Sequence, residues 1–435
     1  MKFHRALALA LVALLAAPAA AQPRQEALTL DRAIEIALVQ QPSVRITRAS
    51  IEQAQARIQS ARVALKPTVS LQGSLAVGSS RQFTDTTTNT SSGGFFDPTL
   101  STGFSASAGW RIYDFGQTSA AIRAAEANAD ATAASIGTTN LDIRSSVAIA
   151  YLEAFARARL VVVAETTVKS EEVHLDQARR FVAAQAKDPI EVVQAQARAA
   201  NARSALAQSQ SNAAVALSNL RSAIGWLDPQ VTFTVDGTWP TPPAEDPAEL
   251  TVLVDGARKH RPELVQLDKE IIAADAGVTV AQAERRPLLS AQANTQWGPS
   301  QNDWSPQPTW TAGLTLSWQL YDGGRSAADV RAARAQVMGA QAQRDQLLVS
   351  LTSELDAARA QIIANRANTV ASNEAVTAAR AQLKLADARY TQGLGSQIEL
   401  ADAQTAVTTA EGNLITAEWQ LAEAWARLKR ALGQQ

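Results

Sequence analysis

Cysteine is absent from the 435 residues, which excludes disulfides, thiolate metal sites and a lipidated N-terminal cysteine. Histidine occurs three times, and only His174 and His260 lie beyond the first 21 residues, so metal ligands are missing at any usable spacing. His174 stands beside Glu171 and Glu172 on a helical stretch and is expected on a solvated face. There is no phosphate-cradling glycine loop and no nucleophile elbow. The carboxylates are spread along helical stretches as surface charges are, so the chain is expected to be no enzyme and to need no metal or cofactor. Formal net charge is −1, and −3 without Lys2 and Arg5, leaving no basic footprint for nucleic acid. Beyond the N-terminus no apolar run is long enough for a transmembrane helix. The cluster Val161-Val162-Val163 has charges close on either side. Aromatics make up 5%. With alanine over-used, that composition favours long helices packed through small side chains over the two or three globular domains that length alone allows.

Met1 to Ala21 has the form of a secretory signal peptide: Lys2 and Arg5, an apolar stretch from Ala6 to Ala17, then the small residues Ala19-Ala20-Ala21. A membrane anchor would need about 20 apolar residues. An exported chain without disulfides is compatible with the bacterial envelope.

Residues Leu28 to Val39 read as a short amphipathic helix capped by Thr29 or Asp31 and ended at Gln41-Pro42. A second helix, about 43–65, stops at Lys66-Pro67. The period then changes to two. Val69, Leu71, Leu75 and Val77 share one face, and Thr68, Ser70, Gln72 and Ser74 the other. A polar loop follows, 79–101, and alternation resumes with Phe104, Ala106, Ala108, Trp110 and Ile112. After Tyr113-Asp114-Phe115-Gly116, with Thr118 or Ser119 as cap, a helical pattern lasts to about Phe181, roughly 95–100 Å at about 1.5 Å per residue. A turn at 182–189 and a return helix at 190–224 come next. The proline-rich stretch 226–247 is a linker with one short strand, Val231 to Val235.

The pattern then repeats. Arg261-Pro262 matches Gln41-Pro42, and Arg286-Pro287 matches Lys66-Pro67, at an offset of 220. From Tyr321-Asp322-Gly323-Gly324 onward the offset is 208, and it is 208 again at Gly225/Gly433. The difference places the longer loop in the first hairpin. Ile143/Leu351, Val147/Leu355, Ala150/Ala358 and Ala154/Ile362 step as heptads. The chain is thus a signal peptide (1–21) and two structural repeats flanking a linker (226–247). The first repeat, 22–225, holds a hairpin at 67–113 and helices at 43–65, 118–181 and 190–224. The second, 248–435, holds a hairpin at 287–321 and helices at 262–286, 326–390 and 397–432. These are one interdependent architecture rather than separable domains.

Strands of about ten residues, apolar on one face and Ser/Thr/Gln/Asn on the other, suit a lipid-facing barrel. They also suit a half-buried sheet in a soluble protein. In lipid, four strands with open edges leave backbone groups unpaired, so copies must associate, and three give twelve strands. The heptads fit a hollow helical cylinder or a solid coiled-coil rod. Two function classes are therefore open: a transport channel, and a structural envelope protein or periplasmic coiled-coil adaptor without a pore. The duplicated amphipathic hairpins favour the channel.

In order and at these spacings, Arg261-Pro262-Glu263-Leu264, Tyr321-Asp322-Gly323-Gly324, and Ala388-Arg389-Tyr390-Thr391-Gln392-Gly393 followed by Ile398-Glu399-Leu400 resemble the TolC family of outer-membrane efflux channels, across essentially the whole mature chain. The resemblance implies a mainly α fold with a membrane β-barrel. It implies a homotrimer whose twelve-stranded barrel, set in outer-membrane lipid, continues into a periplasmic α-helical barrel, with most of the mass in the periplasm. It implies partners as well: a periplasmic adaptor (membrane fusion) protein and an inner-membrane transporter, in tripartite efflux or type I secretion. The junction residues Tyr113, Asp114, Gly116, Tyr321, Asp322 and Gly324 would mark the passage from barrel to tunnel. The helix–helix turns would be periplasmic tips, with Ala184, Lys187, Asp188, Gly393, Leu394 and Ser396 meeting the adaptor.

By the same resemblance the entrance would use Tyr390, with Glu191 as its acidic partner and Glu399 and Asp402 as ring carboxylates. Glu399 and Asp402 fit equally a plainer reading, solvated acids facing a helix N-terminus. Gly395 stands where the family has an arginine, and the first tip lacks the usual glycine and is one residue longer. A lock would therefore need other partners: Tyr390 with Glu191, assisted by Lys187 or Asp188.

Overall fold

The computed structural model describes residues 26–78, 99–228, 233–235, 243, 245–300 and 303–434. The expected signal peptide, the loop 79–98 and much of the linker lie outside the described residues. The elements run β1 (Glu26–Leu28), α1 (Leu30–Gln40), α2 (Pro42–Val63), β2 (Thr68–Gly78), β3 (Thr99–Tyr113), α3 (Gln117–Ala183), α4 (Ile190–Ile224), β4 (Phe233–Val235), α5 (Leu250–His260), α6 (Pro262–Ala283), β5 (Leu288–Ser300), β6 (Asp303–Ser317), α7 (Arg325–Thr391) and α8 (Gln397–Leu432). They form two compact units, one of Met1–Arg48, Ile136–Glu263 and Leu347–Gln435, the other of Ala49–Ser135 and Leu264–Gln346. No helix among the described residues is long and apolar enough to cross a membrane.

The first unit is helical. Thr29 caps α1, its side chain accepting from the Arg32 amide at 3.4 Å. α1 ends at Gln41, and Pro42 opens α2, where a missing N–H costs nothing. Leu28, Ala33, Ala37 and Val44 pack with Ile143, Val147 and Tyr151 of α3, Leu220 and Ile224 of α4, and Phe233. Burying each large aliphatic side chain contributes about 1.5–3 kcal/mol. β1 pairs in parallel with β4, and the Tyr151 hydroxyl donates to the Leu28 carbonyl at 3.1 Å.

One joint is built twice in this unit. Gln41 Nε2 donates to the Ala223 carbonyl at 3.0 Å, and Arg261 Nη1 to the Ala431 carbonyl at 3.1 Å. Beside each lies a glycine closing a helix in the left-handed region, Gly225 at φ 83° and Gly433 at φ 70°. A Cβ on Gly225 would lie 2.9 Å from Gln41 Cα, and one on Gly433 2.8 Å from Arg261 Cα. In the second copy, Arg261 also pairs with Glu263 at 3.1 Å and Glu354 at 3.0 Å while almost fully buried.

The second unit carries the sheet, order β2-β3-β5-β6, antiparallel throughout. The register sorts the side chains by face. Val69, Leu71 and Leu75, with Ala106, Ala108, Trp110, Ala291, Ala293, Trp310, Ala312 and Leu314, share one side. Ser70, Gln72, Ser107, Gln292, Asn294, Thr311 and Thr315 share the other. On that polar side Ser70 and Ser107 hydroxyls meet at 2.7 Å, and Asn294 Nδ2 donates to Thr311 Oγ1 at 3.1 Å. The apolar side is open: Leu71 is 76% exposed, Trp310 77% and Leu314 70%.

Trp110 and Trp318 fasten strand ends to helix ends, their indole N–H groups donating to the Leu65 carbonyl at 2.9 Å and the Arg285 carbonyl at 3.2 Å. The cap of α3 differs from the expectation of Thr118 or Ser119. The helix begins at Gln117, and the buried Asp114 carboxylate accepts from the Gly116 amide at 3.1 Å, the Thr118 amide at 2.7 Å and the Thr118 hydroxyl. A carboxylate four residues upstream satisfies orphan amides that a hydroxyl inside the helix cannot reach.

Candidate functional site

The chemistry-bearing side chains converge at the two helix–helix turns of the first unit. α3 ends at Ala183 and α4 starts at Ile190; α7 ends at Thr391 and α8 starts at Gln397. The tips solve one backbone problem differently. Gly393 takes φ 74° in the second, and in the first the position 208 residues earlier is Gln185, at φ 55°. A side chain there costs roughly 1–2 kcal/mol of left-handed strain. Asp188 caps α4, accepting from the Ile190 amide at 2.9 Å, and Ser396 caps α8, accepting from the Glu399 amide at 3.1 Å.

Tyr390 is 1% exposed, packed with Ala386, Leu400 and Ala403. Its hydroxyl donates to Glu191 Oε2 at 3.1 Å. Glu191 Oε1 lies 3.7 Å from Lys187 Nζ, and that ammonium stands 5.4 Å from the Tyr390 ring centroid and donates to the Gly395 carbonyl at 3.3 Å. Phe181 meets the same ring edge-on at 5.5 Å. Gln397 Nε2 donates to the Glu191 carbonyl at 2.9 Å. Burial, then the charge and hydrogen bond of Glu191, push the Tyr390 phenol up to about 12. It is a donor at every physiological pH.

Of the residues singled out by sequence, Tyr390, Glu191 and Lys187 come together. Asp188 is taken up in its cap. Glu399 pairs with Arg389 at 3.2 Å, both side chains well exposed, a pair worth about 0–1 kcal/mol. Asp402 is exposed, as are Ala184, Gly393, Leu394 and Ser396. Gly395 is buried, and a Cβ there would lie 3.1 Å from the Tyr390 amide nitrogen, so a side chain at this position would press on the Arg389–Tyr390 backbone. Sequence reasoning missed Phe181 and Gln397. The first is an aromatic in a helical run; the second, just before Ile398, looked like an ordinary first-turn residue.

At the strand–helix junctions Asp322 repeats the geometry of Asp114, accepting from the Gly324 amide at 2.9 Å, the Ser326 amide at 2.8 Å and the Ser326 hydroxyl. These bonds hold its carboxyl down to about 2. Gly116 and Gly324 take φ 98° and 93°, and ahead of them Phe115 and Gly323 take 52° and 67°. Tyr113 stacks edge-on to Phe115 at 4.7 Å, and Tyr321 is exposed. Gln117 Nε2 donates to the Arg286 carbonyl at 2.8 Å and Arg286 Nη1 to the Phe115 carbonyl at 2.7 Å. Among the described residues no group of acids and histidines could hold a metal.

This fold is shared with solved structures of membrane proteins. A membrane protein from Pseudomonas aeruginosa is similar at a TM-score of 0.74 and 22% identity, over 93% of this chain and 92% of that one. The CmeC outer membrane channel of Campylobacter jejuni is similar at 0.73 and 16% identity, over 93% and 85%. Among curated proteins, CyaE of Bordetella pertussis is 30% identical over 406 residues, 90% of this chain and 82% of that protein. The family model for outer membrane efflux proteins matches residues 33–226 and 253–434. The chain belongs to the outer membrane efflux protein family, a family of channels of the outer membrane.

Proposed function

We propose that three copies of the chain close their four-stranded sheets into one twelve-stranded barrel and their helices into a periplasmic duct. The assembly serves as the exit channel of a tripartite efflux or type I secretion system, and has no catalytic activity. The observation that carries this is the sheet. Among the described residues β2 and β6 each have a partner on one side only. One face is apolar and open; the other is lined by Ser, Thr, Gln and Asn, with Arg111 at the end that adjoins α3, paired with Asp114 at 3.6 Å. An unpaired edge costs several kcal/mol per orphaned group in lipid, which only closure removes. Away from Arg111 this polar lining is neutral and imposes little charge selection, leaving selection to the periplasmic entrance.

At that entrance the cluster of Tyr390, Glu191 and Lys187 is read as a latch between the two tips, with Lys187 supplying the positive charge that Gly395 cannot. Glu399 and Asp402 are read as entrance carboxylates. The exposed tip residues Ala184, Asp188, Gly393, Leu394 and Ser396 would meet a periplasmic adaptor that couples the duct to an inner-membrane transporter. Single-channel recording in planar bilayers tests the reading. Discrete conductance from purified protein supports it, and protein recovered from the periplasm that forms no channels defeats it.

A further inference from the structure

Between α1, α3 and α8 of the first unit lies a cavity of about 300 Å³. Its walls are largely aliphatic: Leu30 and Ile34 from α1, Leu141 and Leu152 from α3, Ala422 from α8. Two buried nitrogen donors among its lining residues, Arg144 Nε and Trp425 Nε1, have no hydrogen-bond partner among the described residues. Arg430, at the same cavity, is committed to Asp142 at 2.7 Å and Glu354 at 3.3 Å. Arg144 has no ion pair among the described residues, Lys429 adds a further cation, and the exposed Asp31 also lines the cavity, leaving its charged lining net positive.

A buried donor left unpaired costs about 1–3 kcal/mol, more for a charged group. A guanidinium without an ion pair, on a residue lining a largely aliphatic cavity, suits an anionic head on an apolar body. The site also occurs once rather than twice in the duplicated chain. The positions repeat-equivalent to Arg144, Trp425 and Lys429 are Thr352, Leu217 and Arg221, so the duplicated architecture does not require these residues for packing.

We propose that this cavity is a binding site for a small organic carboxylate, its head at the Arg144 guanidinium and its hydrocarbon body against Leu30, Ile34, Leu141 and Leu152. Each chain holds one complete site, built from both repeats, and occupancy braces α8 of the second repeat against α1 and α3 of the first.

Calorimetric titration of the purified full chain with 2-naphthoate, and separately with uncharged 2-naphthol, tests this. Saturable binding of one naphthoate per chain is expected, with naphthol at least about tenfold weaker. Arg144→Gln should weaken naphthoate about tenfold or more and leave naphthol unchanged. Equal affinity for naphthoate and naphthol, undiminished affinity in Arg144→Gln, or absence of saturable binding would each overturn the proposal. So would an acidic peptide that saturates the site where naphthoate does not. The ligand comparison on the unmodified chain stands even if a variant fails to fold. Because it reads binding, its failure leaves the channel reading intact, and loss of conductance would leave this site intact.

Discussion

Replacing Tyr390 with phenylalanine removes one hydroxyl from the tip and little else. The ring keeps its edge contact with Phe181 and its place beneath Lys187. What disappears is the 3.1 Å bond to Glu191. A hydrogen bond to a charged acceptor contributes about 1.5–3 kcal/mol. In a three-fold assembly whose opening breaks all three bonds together, the loss would move the closed–open balance by on the order of 5–9 kcal/mol. A ratio of 99:1 is inverted by about 5.5 kcal/mol, so a duct resting closed would become mostly open. The assay is single-channel conductance of Tyr390→Phe, Glu191→Gln and the double variant. Both single variants should conduct more than the parent. The double variant should add little, because Tyr390→Phe removes and Glu191→Gln weakens the same bond. Unchanged conductance in both single variants, or full additivity, would refute the latch.

Three further outcomes follow from the geometry. The Tyr390 phenol is raised above its ordinary 10.0 to about 12, by burial first and Glu191 second. Its contribution to stability is therefore complete below about pH 10 and lost as pH climbs toward 12, on the order of 2–3 kcal/mol. Ultraviolet titration should show that tyrosine ionising at lower pH in Glu191→Gln, where the Glu191 charge is gone. Gln185→Gly should relieve the left-handed strain at the first tip and stabilise it by about 1 kcal/mol, seen as slower amide exchange there. Arg261→Ala should cost about 1–3 kcal/mol by orphaning the Ala431 carbonyl and leaving Glu263 and Glu354 to Arg430 alone. Arg261→Gln, copying Gln41, should cost less because it can still reach the Ala431 carbonyl; thermal melting of the two variants checks the order.

The repeat and both hairpins were legible because each rests on many residues. Val69, Leu71 and Leu75 against Ser70, Gln72 and Ser74 is a period no helix presents, and the landmarks recur at fixed offsets. Features resting on one residue were not. The cap of α3 went to Thr118 or Ser119 because hydroxyls announce helix starts, whereas Asp114 reaches back from beyond a two-residue left-handed turn. β1 and the described part of β4 are three residues each, too short to carry periodicity. The buried joint of Arg261 appeared only as a dipeptide matching Gln41-Pro42. Its pairing with Glu354, 93 residues away, is a tertiary fact. Arg144 and Trp425 belong to helices whose alanine-rich patterns gave no sign that they meet at one cavity.

Closure of the sheet by neighbouring copies is most directly tested at the two free edges. The chain has no cysteine, so Ser70→Cys on β2 and Thr315→Cys on β6, placed in one chain, give a clean background for a short bis-maleimide. Both positions lie on the polar face near the strand ends that adjoin α2 and α7. Covalent products in outer-membrane preparations should rise through two chains and stop at three. A product that stays at one chain, or a ladder that runs past three, would contradict the twelve-stranded barrel.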